Sequence, residues 1–243
     1  MAWPHGWLTP DWPAPERVRA CVTTRDGGVS VAPFQTFNLA RHVGDDPLAV
    51  EHNRSYLRQQ LACEPTWLTQ VHGVAVVEAS PDSVHEADAS WSAQPGIAAC
   101  VMTADCLPVL FCDRAGTRVA AAHAGWRGLA NGVLEATLDT LAVPAAEVLV
   151  WLGPAIGPQA FEVGPEVRAA CVAEHSEAAV AFRPSERAGH YLADIYQLAR
   201  VRLAARGVTA VYGGGLCTVS DPRFYSYRRA ANTGRFASLI WLV

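Results

Sequence analysis

The sequence predicts an α/β fold: a single domain of mixed β-sheets layered with helices. Three observations carry this. Apolar residues make up 51% of the 243 and charged residues only 17%, so the chain can bury a large core. Short runs of Val, Ile, Leu and Ala mix with segments of helical spacing, without the clean βαβα alternation of a doubly wound sheet. Apolar strands stand near both ends of the chain, which argues against dividing 1–243 into two units.

Taken in order, residues 1–16 hold four Pro and three Trp and read as an irregular arm packed on the surface. "RVRACVTTR" (17–25) reads as a strand and "DGGVS" (26–30) as a tight turn. The segment 45–62 is predicted helical: Asp46 can cap it, Pro47 suits the first turn, and Val50, Leu57 and Leu61 form an apolar stripe. Short strands follow at 66–73, 74–79, 96–104, 107–113 and 118–125. The spacing of Leu129, Val133, Leu134 and Leu138 predicts a helix over 126–142, and 147–153 reads as a strand. Helices are expected at 164–175 and 191–207, the second stopped by Gly207, and strands at 208–215 and 236–243.

The net charge of −4 argues against nucleic acid as the main partner. No apolar run reaches the ~18 residues of a membrane helix, and the N-terminus lacks a basic start followed by an apolar core, so no membrane or secretory role is expected. The seven cysteines are odd in number and include no C-x-x-C pair, which points to reduced thiols in the cytoplasm. All 19 basic residues are Arg. Without Lys there is no Schiff-base chemistry and no Walker-type lysine; an anion must be held by Arg, backbone N–H groups or a metal.

Three residues stand at or near the ends of apolar strands, each beside a break: His72 next to Gly73, Cys106 near Pro108, and His123 near Gly125. Two imidazoles and a thiolate suit Zn²⁺, and three protein ligands leave its fourth position open. Each alone has a plainer reading, as a hydrogen-bonded core histidine or a buried thiol. Asp105 is read either as a hydrogen-bond acceptor for a ligand histidine or as a turn cap. "GWRG" (125–128) opens a helix where Arg127 and backbone amides could hold an anion, or where Arg127 simply stacks on Trp126. "FNLARHVGDD" (37–46) supplies Asn38, Arg41 and His42 from a loop. "YSYRR" (225–229) offers aromatic faces and Arg228, with Arg235 following, or else forms an edge strand.

Assembled in order, "TTRDGGVS", "FNLARHVGDD", "NRSYL", "LTQVHG", "MTADCLPVLF", "AAHAGWRG", "GPAIGPQAFEVG", "GGGLCTVSDPRFYSYRR" and "TGR" resemble the YfiH family across residues 23–235. That family has been labelled both multicopper polyphenol oxidase (laccase) and purine nucleoside phosphorylase. The resemblance implies a catalytic metal site at His72, Cys106 and His123, and a layered fold akin to cysteine-hydrolase-like proteins. It also implies phosphorolysis of adenosine and inosine, with adenosine deamination and methylthioadenosine cleavage as further activities. Purine nucleosides and phosphate would then be the partners, with Asn38, Arg41, Arg127 and Arg228 as candidate substrate-binding residues and Asp105 as a proton shuttle.

The two labels make different demands. A laccase needs a type-1 copper and a trinuclear cluster fed by His-x-His pairs. This chain has eight His, at 5, 42, 52, 72, 85, 123, 175 and 190, and no such pair. A lone His₂Cys site with Met102 as a weak axial ligand would make an electron-transfer copper without a place for four-electron O₂ chemistry. Zinc is therefore the expected metal, although Cu²⁺ competes well at such ligands. Two rival classes remain: a metal-independent cysteine hydrolase with Cys106 as nucleophile, and a closed metal-binding scaffold using Cys217 as fourth ligand.

Overall fold

The computed structural model describes residues 3–243. Two sheets pack face to face. The first is four-stranded, in the order Val18–Val22, Phe236–Leu242, Ile97–Thr103, Glu64–Thr66. The second is six-stranded, in the order Val211–Gly213, Val148–Leu152, Leu107–Asp113, Val119–Ala124, Ala89–Ser92, Val76–Glu78. Parallel and antiparallel pairs occur in both, so the sheets are mixed. The first and last strands lie side by side, Val18 opposite Leu242.

Side-chain alternation sorts the core into three layers. Between the sheets lie Val22, Val101, Phe236 and Ile240 from one side and Leu110, Cys112, Ala121 and Trp151 from the other. The outer face of the six-stranded sheet presents Val109, Phe111, Ala120 and Ala122 to Leu129, Leu134, Leu138, Leu198 and Leu203 on the helices. The outer face of the four-stranded sheet packs Cys100, Leu239 and Trp241 against Leu57 and Leu61 of helix Pro47–Leu61. The result is helix, sheet, sheet, helices. Full burial of each large side chain stabilises the fold by about 1.5–3 kcal/mol.

The helix at 47–61 starts as its sequence dictates: the Asp46 carboxylate accepts from the Leu48 amide at 3.0 Å and Pro47 fills the first turn. The segment 126–142 is two helices, Trp126–Asn131 and Val133–Leu141, because Gly132 takes φ +101° between them. The expected helix over 191–207 is shorter. Tyr191–Ala193 pairs in a small sheet with Glu162–Val163 and Phe182–Pro184, and helix Ile195–Ala205 begins only after the Asp194 cap. The expected 66–73 strand is replaced by two short ones, Glu64–Thr66, which starts earlier, and Leu68–Thr69, and His72 stands beyond them in a loop. "YSYRR" forms turns rather than an edge strand. The N-terminal arm runs over the surface and bridges Leu8 to Val22; its first two residues lie outside the described residues. Among the described residues no helix is long and apolar enough to cross a membrane.

Candidate metal centre and its cavity

The strand Ile97–Thr103 belongs to one sheet and Leu107–Asp113 to the other, so residues 104–106 cross between them and carry Cys106 at the crossing. His123 sits on Val119–Ala124, opposite Pro108, with only 4% of its surface exposed. His72 lies in the loop after Leu68–Thr69 with φ +61°. The donor atoms of these three residues all lie within 4.8 Å of one another. Cys106 Sγ is 3.7 Å from His72 Nε2, and the two imidazoles meet edge to face with centroids 4.7 Å apart.

One buried carboxylate organises both histidine segments. Asp88 Oδ1 accepts from His123 Nδ1 at 2.8 Å and from the His72 amide at 2.9 Å. Asp88 Oδ2 accepts from the amides of Gly73 at 2.6 Å and Val71 at 3.2 Å. Four donors thus fill the four acceptor positions of the carboxylate. With Nδ1 committed to Asp88, His123 turns Nε2 toward Cys106 and His72, the arrangement that orients metal-binding histidines. The Gln70 amide adds a second anchor: it donates to the Met102 carbonyl and accepts from the Met102 amide, both at 2.8 Å, tying the His72 loop to the sheet.

Ionisation follows the geometry. Burial opposes a charged Cys106, but His123 and His72 outweigh it and bring the thiol down to about 6. Burial likewise opposes a charged His123, and Cys106 with Asp88 push it up. Asp88 is held below its ordinary range despite burial, by His123 and the backbone amides. A Cβ built on Gly125 would lie 2.6 Å from the His72 ring and 3.0 Å from Cys106 Sγ, so a side chain there would fill the space between the donors. A thiol poised to ionise, two imidazoles and a cradle kept clear by glycine fit a soft-to-borderline divalent cation.

The group opens on a cavity of about 310 Å³. Trp126, Phe161 and Tyr227 give it aromatic walls, and His42, Arg228 and Arg235 add basic groups. Several candidate binding residues lie elsewhere. Arg41 is absent from the lining and pairs with Glu51 at 2.7 Å. Arg127 is absent too, its guanidinium 4.5 Å from the centre of the Trp126 ring, which is the stacking alternative. Asn38 is fully buried and spends its amide on Ala40, Asp45 and the Arg235 backbone, so it shapes a loop and does not reach a ligand. Asp105 lines the cavity but does not support a ligand histidine. Its two oxygens accept from Thr218 Oγ1 and the Arg228 amide, both at 2.6 Å. Asp88 holds that place instead; the only trace of it in the sequence is a lone carboxylate between Ala87 and Ala89. Arg228 does line the cavity, although its terminal nitrogens donate to the Ala160 and Glu162 carbonyls. Cys217 is not part of the three-residue group; its sulfur accepts from the Gly157 amide.

Fold and site together define a layered α/β protein with a His-Cys-His group able to hold a metal ion at the floor of an open cavity. Residues 19–243 match the family described as multi-copper polyphenol oxidoreductase laccase, and the chain belongs to that family. It is 71% identical to purine nucleoside phosphorylase PA4543 of Pseudomonas aeruginosa, over 98% of this chain and 99% of that one. It is 54% identical to purine nucleoside phosphorylase YfiH of Escherichia coli, over 97% and 98% of the two chains. The crystal structure of Neisseria meningitidis protein NMB0706 superposes with a TM-score of 0.95 at 52% identity, covering 97% of this chain and 98% of that one. That of YlmD from Geobacillus stearothermophilus does so with a TM-score of 0.93 at 29% identity, covering 100% and 98%.

Proposed function

We propose that this protein is a zinc-dependent purine nucleoside phosphorylase acting on adenosine and inosine, with adenosine deamination and methylthioadenosine cleavage as further activities. The observation that carries the reading is the convergence of His72, Cys106 and His123 on a cavity with both aromatic and basic walls. The names of the relatives support it. A metal held by His72, Cys106 and His123 would supply Lewis acidity at its open fourth position. Trp126, Phe161 and Tyr227 offer flat faces for a purine. In the reaction an oxygen of hydrogen phosphate bonds to ribose C1′. The C1′–N9 bond breaks with its electron pair passing to the purine. The proton lost by hydrogen phosphate ends on the base, leaving free purine and ribose 1-phosphate. Reduced cysteines suit a cytoplasmic enzyme of nucleoside metabolism.

Laccase chemistry is the weaker reading. Among the described residues His72, Cys106 and His123 are the sole group of three or more potential ligands, so donors for a separate trinuclear cluster are lacking. One observation favours a different rival: Cys106, His123 and Asp88 also have the order of a Cys-His-Asp hydrolase triad. A nucleoside panel incubated with and without phosphate, on protein of measured metal content, tests the proposal. Hypoxanthine should appear from inosine only with phosphate and only in metal-loaded protein, and ammonia release from adenosine reports deamination. Base release without phosphate, or turnover that survives chelation and succumbs only to alkylation, would replace it with a hydrolase.

A further inference from the structure

Three arginines at or near the cavity, Arg54, Arg228 and Arg235, have no carboxylate at ion-pair distance among the described residues, and of these Arg228 is exposed whereas Arg54 and Arg235 are withdrawn from water. Arg54, on helix 47–61, is only 4% exposed. It donates Nε to the Leu39 carbonyl at 2.9 Å, and its guanidinium lies 3.8 Å from the centre of the Trp67 ring. Arg235 is half-buried and lines the cavity. Its Nη1 donates to the Thr233 and Gly234 carbonyls at 2.9 and 3.0 Å, while Nε and Nη2 have no partner among the described residues. Its backbone is fixed by the Asn38 side chain at 2.9 Å. His42 lines the same cavity, and burial, then Arg235, then Arg54 hold its imidazole below the ordinary range. Guanidinium groups withdrawn from water without a counter-ion are costly, and such a cluster is relieved by an anion. Cys106 and Asp105 also act on Arg235. Asp105 spends its acceptor oxygens on Thr218 and the Arg228 amide and makes no ion pair with Arg235, so it offsets the charge from a distance and leaves Nε and Nη2 free.

We infer that Arg235 and His42, with Arg54 behind them, form the subsite for inorganic phosphate, Arg235 donating Nε and Nη2 as a fork to two phosphate oxygens. The choice of ligand rests on the phosphorylase reading; the choice of residues rests on their free donors. Arg228 is the obvious competitor, but it is exposed and each of its terminal nitrogens already holds a backbone carbonyl, whereas both bonds of Arg235 come from Nη1 and leave its Nε/Nη2 edge wholly unengaged. The planar fork of arginine matches a tetrahedral oxyanion, and charge-assisted bonds of this kind are the stronger ones.

Calorimetric titration with inorganic phosphate at fixed ionic strength tests this on the wild type, Arg235→Met, Arg235→Lys and Arg228→Met. Arg235→Met should weaken phosphate binding roughly 10- to 100-fold, as expected for loss of a bidentate charged contact. In turnover it should raise the KM for phosphate far more than that for inosine. Arg235→Lys should recover part of the affinity, and because it retains a cation at the loop it guards against a result that merely reflects misfolding. Wild-type phosphate affinity in Arg235→Met, or affinity lost in Arg228→Met but kept in Arg235→Met, would overturn the assignment. So would binding of a nucleoside 5′-monophosphate without binding of inorganic phosphate. If the wild type binds phosphate through Arg235 but forms no ribose 1-phosphate, the phosphorylase reading fails and the subsite stands. If phosphorolysis proceeds with an unchanged phosphate KM in Arg235→Met, the subsite fails and the reading stands.

Discussion

At the scale of single residues, the chemistry turns on a thiol that ionises early. An ordinary buried cysteine resists ionisation, and burial does push the thiols of Cys21, Cys63, Cys100, Cys112 and Cys171 up. Cys106 goes the other way because two imidazoles face it, and its value of about 6 lies below that of its partner His123, at about 9. Between those limits the metal-free protein should hold a thiolate–imidazolium pair. Alkylation of chelator-stripped protein should therefore be fast above pH 6 and fall away as the pH drops through it. Cys217 is also lowered, by hydrogen bonds that overcome its burial, so the measurement belongs in a Cys217→Ser background. A profile that rises only toward pH 9 would mean that the histidines do not act on Cys106. In the sequence, the position of His72, Cys106 and His123 at or near apolar strand ends beside a Gly or Pro only suggests a site, and the resemblance to the YfiH family is what singles them out. Asp88 is not legible there, since its task is to meet amides from 71–73 and an imidazole 35 positions downstream.

At the scale of elements, the site is a loop, a sheet crossing and a strand held in register by that one carboxylate. Asp88→Asn leaves the shape nearly unchanged but replaces an acceptor oxygen with a donating amide, so four donors no longer find four acceptors. Zinc affinity, measured by competition with a chelating dye, should fall by roughly 10- to 100-fold, as for other losses of a hydrogen-bonded support. Affinity equal to wild type would show that the loop and strand hold their positions without it. Long apolar runs such as 107–113 were readable because their β-forming side chains fill both faces of a sheet. "ASWS" (89–92) was missed because it has no β-branched residue and becomes a strand through its neighbours, 76–78 and 119–124. The helical pattern of 191–207 concealed Tyr191–Ala193 because Asp194 reads as an interior residue until its side chain is seen accepting from the Gln197 amide.

At the scale of the whole molecule, the His-Cys-His group depends on how the two sheets meet. A strand of one sheet ends at Thr103 and a strand of the other begins at Leu107, so the three residues between them can present a thiol to a histidine of the second sheet. Val18–Val22 pairs with Phe236–Leu242, which pairs in turn with Ile97–Thr103, the strand that leads into that crossing. The mixed layered architecture was predictable from composition and the irregular order of elements. Strand neighbours were not, because contacts such as Val18 with Leu242 join opposite ends of the chain. Nor could residue types alone rank the arginines: Arg41 and Arg127 carry the same charge as Arg235, and only the fold reveals which of them are already engaged.

The central claim is that the metal held by His72, Cys106 and His123 is required for phosphorolysis. The direct measurement returns zinc stepwise to chelator-stripped protein and follows ribose 1-phosphate formed from inosine and phosphate. Product formation should rise in proportion to bound zinc and level off at one ion per chain, with Cys106→Ala neither retaining zinc nor recovering turnover. Full turnover in the stripped protein, or in Cys106→Ala, would contradict the account.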